Sequence, residues 1–402
     1  MSRGGIQGFN EARLGQVLGA RRLTQAQLAS LVGVSPATVS KWRAGTQTPE
    51  SDTLERLAKV VNITPEWFTR PSAAKVSPPH FRSNASAHVA ARAMLNARVE
   101  WAQDIAVALM EFVVFPDLNL PVREYTDPEE ITAEDIEQAA CECRDMWRLG
   151  RSVVQDVALA VEGAGVILVR EETGIAQIEG LSTWSEVLGR PLVLLSADKD
   201  NGYRSRFDLA HELGHLVLHR HIRHSNERER HKLLEQQGHR FAGAFLLPAE
   251  TFSAEVRVPP TLDDLLLLKH RWGVSASAII MRLRALDLLD GDSATMLFKR
   301  RSARWGAKSE PGDGDRKPEL PRLLRRTIDL LVDEKVMPLE AIPRHIGLAS
   351  SDIEKLSGLP EGYFQAKNNI FQFSRLKATP PNLEKRNGTG STVLPFRSPT
   401  ES

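Results

Sequence analysis

The sequence predicts a multidomain protein with an all-α N-terminal domain, a larger α+β domain and a small helical module near the C-terminal end. Three observations predict this architecture. Short helical segments separated by turns fill residues 10–70, and two strand-like runs, 165–170 and 191–197, lie among helical patterns further along. A chain of 402 residues is also long enough to bury more than one hydrophobic core.

Changes in pattern along the chain predict the domain boundaries. Stretches rich in proline or in charged residues with glycine indicate two linkers, and a polar final stretch indicates disorder. We expect, in order, an all-α domain at 1–70, a linker at 71–84, a connecting helical segment at 85–131, the α+β domain with a helical cap at 132–302, a linker at 303–320, a helical module at 321–365 and a disordered tail at 366–402.

The composition excludes several classes of protein. Charged residues make up 26% of the chain and the formal net charge is +1, so nucleic-acid binding would need a local basic patch. No apolar run is long enough to cross a bilayer, and the first residues lack the apolar core of a secretory signal. Cys141 and Cys143 suit neither a disulfide framework nor a four-cysteine zinc site. These features favour a cytoplasmic protein with no membrane partner.

Residues 22–49 have the pattern of two short helices joined by a tight turn. Apolar residues fall at helical spacing in the first half, at Leu28, Leu31 and Val34. Gly33 can adopt the positive φ of a turn, Ser35 is a good N-cap, and Pro36 follows at the first helical position. In the second helix Val39 and Trp42 would face the core. The residues left on its outer side are Ala37, Thr38, Ser40 and Lys41.

This segment resembles the repressor-type helix-turn-helix of the XRE family over residues 10–68. The matching features are the Thr24-Gln25 start, the Gly33-Val34-Ser35 turn and the Trp42, Gly45 and Pro49 ending. The resemblance implies binding to double-stranded DNA, with phosphate contacts from Gln25 and Thr46 and base-edge contacts from Pro36, Ala37 and Lys41.

The DNA-binding interpretation has an alternative. Pro36 and Ala37 offer no hydrogen-bonding side chain, so sequence readout would depend on Thr38, Ser40 and Lys41. A helical bundle that binds protein instead of DNA is therefore also compatible with the pattern. Repressor modules of this kind commonly bind DNA as dimers, and a homodimer is compatible with the sequence.

A metal-binding pattern lies in the α+β domain. His211 and His215 are four residues apart, so both lie on one face of a helix and can reach a single ion. Neutral imidazole suits Zn²⁺, and Glu212 beside it can take a proton from a zinc-bound water. The neighbouring residues are apolar, which disfavours two solvated histidines. Gly214 leaves room for another element to approach.

A catalytic zinc site needs a third protein ligand. The next amphipathic stretch, 233–248, offers Glu235 as the best candidate, with a solvated surface carboxylate as the alternative. His239, one turn later on the same face, would support the site by contacting a ligand histidine, but a histidine without this role fits the pattern equally well. His219 is expected at the surface or in a loop.

These residues resemble the ImmA/IrrE family of metallo-endopeptidases over residues 80–290. The matching pieces are Phe81-Arg82-Ser83, Asn119-Leu120-Pro121, Trp147-Arg148-Leu149-Gly150, Arg190-Pro191, Arg206-Phe207 through His219, and Glu235 to Pro248. The sequence departs from the family at Gly238, where alanine is more frequent, and at His239, where asparagine or aspartate is common.

The resemblance implies a gluzincin-like zinc metallo-endopeptidase domain at 132–302. Zinc would be held by His211, His215 and Glu235, with Glu212 as the catalytic base. The family also implies limited proteolysis of a regulatory protein, often a repressor of the same helix-turn-helix class. The alternative is a transcriptional regulator or antitoxin whose peptidase-like domain is a sensor or structural module without proteolysis.

Two further segments allow only coarse predictions. Gly273-Val274-Ser275 lies between two helical patterns and is similar to a second helix-turn-helix, but six apolar residues favour a packed structural cap: Leu265, Leu268, Trp272, Ile279, Ile280 and Leu283. The module at 321–363 is predicted to be a small interaction element.

Overall fold

The computed structural model describes residues 5–71, 80–81, 89–174, 179–222, 227–306 and 308–365. Most of the predicted linker at 71–84, including Arg82 and Ser83, and the whole predicted tail at 366–402 lie outside the described residues. The chain up to Phe364 forms one compact unit. Within the described ranges, no helix is both long and apolar enough to span a bilayer.

The N-terminal region is helical, as predicted. It contains α1 (Glu11–Ala20), α2 (Gln25–Val32), α3 (Pro36–Arg43), α4 (Ser51–Val61) and a 3-10 helix at Pro65–Thr69. Thr24 caps α2, and Gly33 ends it with a φ of 78°, where a β-carbon would add strain. The Ser35 side chain accepts the backbone N–H of Thr38 and so begins α3.

The buried face of this region follows the predicted spacing with one exception. Val39 and Trp42 of α3 are buried, and so is Leu28 of α2. Leu31 is 56% exposed, however. The face that α2 turns to the core runs through Leu28 and Val32, which are four residues apart, and Leu31 lies beside this stripe.

A long helix, α5 (Val89–Met110), links the N-terminal region to the rest of the protein. Trp67 of the N-terminal region is buried and meets Trp101 of α5 edge to face, with ring centroids 6.1 Å apart. Arg13 pairs with Asp104 beside them. The N-terminal region and α5 therefore share one hydrophobic core.

The C-terminal helices also belong to this core. They are α14 (Leu323–Asp333), α15 (Ala341–Ile346) and α16 (Ser350–Ser357). Arg98 of α5 is buried between Asp352 of α16 and Glu171, at 2.6 Å and 2.5 Å. Arg21 from the end of α1 reaches the same Asp352 at 2.5 Å. The module predicted to be an interaction element thus has extensive contacts with its own chain.

The protein also contains a mixed sheet. Its strands are β1 (His80–Phe81), β2 (Ile167–Glu171), β3 (Gly180–Ser185) and β4 (Arg190–Ser196), in the order β1-β3-β4-β2. β2 runs parallel to β4, whereas β3 pairs antiparallel with both β4 and β1. The two predicted strand runs correspond to β2 and β4. β3 was not among the predicted strands.

The sheet separates two hydrophobic cores because side chains alternate across it. Ile167 and Val169 of β2 face the core shared by the N-terminal region and α5. Leu168 of β2 and Val193 of β4 face the second core, which lies on the other side of the sheet. Both faces are buried, as expected for strands with continuous apolar runs.

The second core is built from helices. They are α6 (Ala133–Met146), α7 (Val157–Gly163), α8 (Gly202–Leu218), α9 (Arg228–Leu246), α10 (Ala249–Glu255), α11 (Leu262–Trp272), α12 (Ala276–Ala285) and α13 (Gly291–Trp305). Helices α8 and α9 approach closely because Gly214 has no side chain. A β-carbon there would lie 3.0 Å from Cβ of Phe241 on α9. The six apolar residues predicted to pack in α11 and α12 are all buried.

The segment at 303–320 is not the free linker that its glycine and proline content predicted. The Glu310 carboxylate is buried and accepts the backbone N–H groups of Ala276 and Ser277 at the start of α12. The ammonium of Lys269, which is also fully buried, lies 3.4 Å from Glu310. Buried charges need such partners, so these contacts hold the segment against the second core.

Candidate metal centre and nucleic-acid interface

The three predicted metal ligands converge between α8 and α9. His211 and His215 lie one turn apart on α8, and their Nε2 atoms are 3.0 Å apart. Oε2 of Glu235 on α9 lies 3.5 Å from Nε2 of His211, and Oε1 of the same carboxylate lies 3.5 Å from Nε2 of His215. Both imidazoles are buried, whereas the Glu235 side chain is 15% exposed.

The spacing of these atoms fits a zinc ion. Zinc bonds of about 2.0–2.1 Å in tetrahedral geometry place neighbouring ligand atoms about 3.3 Å apart. The two imidazole nitrogens are 3.0 Å apart, and each lies 3.5 Å from an oxygen of Glu235, so the observed separations lie on either side of that value. Two imidazole nitrogens and one carboxylate are also the donor set of many catalytic zinc sites. These residues could therefore hold one metal ion without rearrangement of the helices.

The protonation states also suit a metal. Burial lowers the pKa of His211 to about 3, so its ring is neutral near pH 7. Burial alone would raise the pKa of Glu235, but its contacts with the His211 and His215 rings outweigh it and hold that pKa well below its usual range. The site thus offers the neutral imidazole of His211 and the ionised carboxylate of Glu235, which are forms that bind metal.

Glu212 lies beside this group and is not one of its three converging side chains. It follows His211 in α8 and is buried. Its carboxylate lies against β3, where a β-carbon on Gly180 would be 3.3 Å from Oε1. Glycine at this position gives the Glu212 carboxylate the space that it occupies.

His239 also lies beside the candidate metal centre and offers an alternative to His215 as a ligand. Its ring centroid lies 4.4 Å from that of His211, and its Nδ1 is 2.5 Å from the backbone oxygen of Glu235. One potential ligand atom from each of these three residues lies within 4.8 Å of the others. The group that contains His215 is tighter, so we favour His215 as the ligand and His239 as a supporting neighbour.

The prediction for His219 is wrong. It is fully buried behind His215, with their Nδ1 atoms 2.8 Å apart. Its Nε2 lies 3.0 Å from Oε1 of Gln237, whose Nε2 donates to the backbone oxygen of Pro128 at 2.6 Å. His219 lies four residues after His215, so helical spacing could have indicated this contact. Gln237 was not among the residues predicted for the site.

The departure at Gly238 has a structural reason. A β-carbon there would lie 2.9 Å from Cε1 of His211 and 3.2 Å from Nε2 of His215. The first distance is too short for unshifted neighbours. Glycine therefore lets α9 approach the two imidazoles more closely than alanine would.

The residues predicted to contact DNA lie at the surface of the N-terminal region. Five of them are exposed: Pro36, Ala37, Ser40, Lys41 and Thr46. Gln25 and Thr38 are half-buried, and the Thr38 hydroxyl bonds that of Ser35 at 2.9 Å. The opposite side of α3 is occupied by its buried core residues, so the outer face of α3 is available to a partner.

Two known protein families match this chain, one at the candidate metal centre and one at the N-terminal helices. Residues 161–284 match the IrrE N-terminal-like domain, and this match includes the whole candidate metal centre. Residues 14–68 match the helix-turn-helix family, and this match includes every predicted DNA-contacting residue. No curated protein matches the chain. The two matches agree with the fusion of an XRE-type helix-turn-helix to an ImmA/IrrE-type domain that the sequence motifs indicate.

Proposed function

We propose that this protein is a DNA-binding regulator with zinc-dependent endopeptidase activity. The observation that carries the proposal is the convergence of His211, His215 and Glu235 within 3.5 Å, with Glu212 next in sequence. Zinc is the proposed metal because the donor set and spacing suit it. We expect His239 to support the centre through its contact with the His211 ring.

The chemistry follows from the residues at the centre. Bound zinc would act as a Lewis acid that polarises the scissile carbonyl and makes water more acidic. Glu212 would accept the proton of the attacking water and deliver it to the leaving amine. Because Glu212 is buried and its carboxylate packs against Gly180, the carboxylate would stay near the centre during both proton transfers.

The proposed substrate is a flexible segment of a protein, with a helix-turn-helix repressor as the favoured class. Both candidate ligand histidines and Glu212 are at most 4% exposed, so a folded surface could not reach them. Glu235 and His239 are the more exposed members of the group, so an extended backbone would approach the centre from their side. This geometry suits limited proteolysis at one accessible site.

The proposed DNA contacts come from α3 and its flanks. In the usual docking, the second helix of the motif enters the major groove of double-stranded DNA. Lys41, Thr38 and Ser40 would then read base edges together with the apolar surfaces of Pro36 and Ala37. Contacts from Gln25 and Thr46 to phosphates would fix the orientation, and a homodimer would bind two half-sites.

Metal analysis tests the centre first. The full-length wild type, purified without chelators, should contain about one zinc per chain, as a single mononuclear site requires. His211→Ala and Glu235→Gln should lose most of it, because each removes a ligand. Glu229→Gln on the exposed side of α9 is the matched control and should keep the wild-type content. Absence of zinc from the wild type after reconstitution would refute the proposed centre.

Cleavage tests the chemistry separately. Wild type and Glu212→Gln are incubated with helix-turn-helix repressors, and products are read by mass spectrometry. We expect cleavage by the wild type alone, with zinc content and DNA affinity unchanged in the variant. Equal cleavage by both would overturn the role of Glu212. A zinc-loaded wild type that cleaves none of them would favour a sensor or structural role for the domain.

A further inference from the structure

We infer that His219 and Gln237 are positioning residues that fix the tautomer of His215 so that its Nε2 presents a lone pair to the metal. The inference rests on the proposed zinc site. Three buried hydrogen bonds connect the backbone oxygen of Pro128 to His215 through these two side chains. The direction of each bond can be worked out from the one before it.

The direction is set at Pro128. A backbone carbonyl oxygen can only accept a hydrogen bond, so the atom of Gln237 at 2.6 Å from it must be the amide nitrogen. The amide oxygen then lies on the other side, 3.0 Å from Nε2 of His219. Rotating the amide by 180° would oppose two oxygens at one end, which excludes the reverse orientation.

The proton positions of the two histidines follow. The oxygen of Gln237 only accepts, so Nε2 of His219 carries a hydrogen. A neutral imidazole has one donor and one acceptor, which leaves Nδ1 of His219 as an acceptor. Nδ1 of His215, 2.8 Å away, must then donate. Nε2 of His215 is left with a lone pair, and this is the atom that lies 3.0 Å from His211 and 3.5 Å from Glu235.

This arrangement matters because only one tautomer of His215 can bind the ion. A hydrogen on Nε2 would occupy the position of the metal bond. Hydrogen bonds behind metal-bound histidines typically change metal affinity about 10–100-fold when they are removed. Both His219 and Gln237 are buried, at 0% and 4% exposure, so water cannot easily replace either partner.

Zinc affinity measured by competition with a chromophoric chelator tests the inference on the full-length chain. We expect Gln237→Met to raise the Kd for zinc by about 10–100-fold. Gln236→Met, on the exposed side of the same helix, is the matched control and should bind as the wild type does. Equal zinc affinity in Gln237→Met and Gln236→Met would overturn the inference.

The tautomers can also be observed directly in the wild type, without any variant. In protein labelled with ¹⁵N-histidine, long-range ¹H–¹⁵N correlation spectra distinguish the two protonated nitrogens. We expect a hydrogen on Nδ1 of His215 and on Nε2 of His219, with and without zinc. The opposite tautomer at His219 would overturn the inference even if the wild type binds zinc. A wild type that binds no zinc but shows these tautomers would refute the proposed function and leave the hydrogen-bond directions standing.

Discussion

Two helix pairs in this protein share one turn sequence but differ in their surroundings. Gly33-Val34-Ser35 joins α2 to α3, and Gly273-Val274-Ser275 joins α11 to α12. The glycine φ values are 78° and 70°. In both turns the serine side chain accepts the backbone N–H three residues later. The local structure is therefore the same, as the identical residues predict.

The second helices of the two pairs have different exposure. Ser40 and Lys41 of α3 are exposed, whereas Ile280, which corresponds in position to Ser40, is fully buried. The start of α12 is also occupied, because the Glu310 carboxylate accepts its first N–H groups. The turn sequence therefore determines the conformation of the turn. The residues that follow it determine whether the second helix packs in the core or presents an exposed surface.

The largest difference between the two helix pairs should appear in the free energy of unfolding when Ile280 and Ser40 are each replaced by alanine. Ile280→Ala removes a fully buried side chain and should lower the free energy of unfolding by about 2–5 kcal/mol. Ser40→Ala removes only an exposed hydroxyl and should change it by less than about 0.5 kcal/mol. Urea unfolding followed by tryptophan fluorescence measures both. Similar losses in the two variants would contradict the assignment of α12 to the core.

Replacement of Glu310, which contacts the second helix pair, should cause the next largest loss of unfolding free energy. Glu310→Gln removes the charge that faces Lys269 and weakens the bonds to Ala276 and Ser277, so we expect a loss of about 2–3 kcal/mol in urea unfolding. Glu334→Gln is a control, because this exposed residue lies outside the second core. An unchanged unfolding midpoint for Glu310→Gln would show that the Glu310 carboxylate does not stabilise α12.

The same carboxylate gives a pH dependence. Burial would raise the pKa of Glu310, but the N–H of Ala276 and the charge of Lys269 outweigh it and lower the pKa below its ordinary 4.5. The stabilisation is therefore complete above the unfolded pKa and is lost as the pH falls through the lower, folded value. Unfolding measured from pH 6 downwards should show this loss in the wild type, and a smaller one in Glu310→Gln. Parallel curves would contradict it.

DNA affinity should distinguish the exposed positions of the two helices. Lys41→Ala should weaken binding to an operator fragment by about 1–3 kcal/mol, because the proposed base contact is lost. Met281→Ala changes the corresponding residue of α12, which is 49% exposed, and should leave binding unchanged. Fluorescence anisotropy at fixed salt measures both. A loss in Met281→Ala alone would transfer the DNA-binding role to α12.

The smallest difference should come from the two turn glycines. Gly33→Ala should cost about 1 kcal/mol, because a β-carbon at this φ is strained but meets no neighbour within 4 Å. Gly273→Ala has the same strain, and its β-carbon would also lie 3.2 Å from Cζ of Arg316 and 3.3 Å from Nε of Arg206. We expect a larger shift in Tm for Gly273→Ala. Equal shifts would mean that these guanidinium groups move aside freely.

The parts of the fold that sequence could predict are those with local signals. Periodicity predicted β2 and β4 because their apolar runs are continuous, and helical spacing predicted the shared face of His211 and His215. β3 was missed because Gly180, Ser182 and Thr183 resemble a loop in composition. They are buried through pairing with β4, which is a contact between distant residues.

In the candidate metal centre, too, residues with a local sequence signal were predicted and residues that depend on distant contacts were not. The two histidines of the helical motif were predicted from their spacing, and Glu235 was predicted from its place in the next amphipathic stretch. The position of His219 was not predicted. Gln237 could not have been found, because its partner Pro128 lies more than a hundred residues earlier in the chain. Likewise, no local pattern indicates that Arg98 joins Glu171 to Asp352.

The contact of Trp67 with α5 has a practical consequence for anyone who designs shorter fragments. A fragment that stops at residue 71 keeps every helix of the DNA-binding motif but loses Trp101 and Asp104. It would expose the indole of Trp67 and leave Arg13 without its carboxylate partner, and an exposed apolar patch of this kind promotes self-association. Expression of residues 1–364 keeps both partners and the C-terminal helices, and is the better starting point for binding assays and crystallisation.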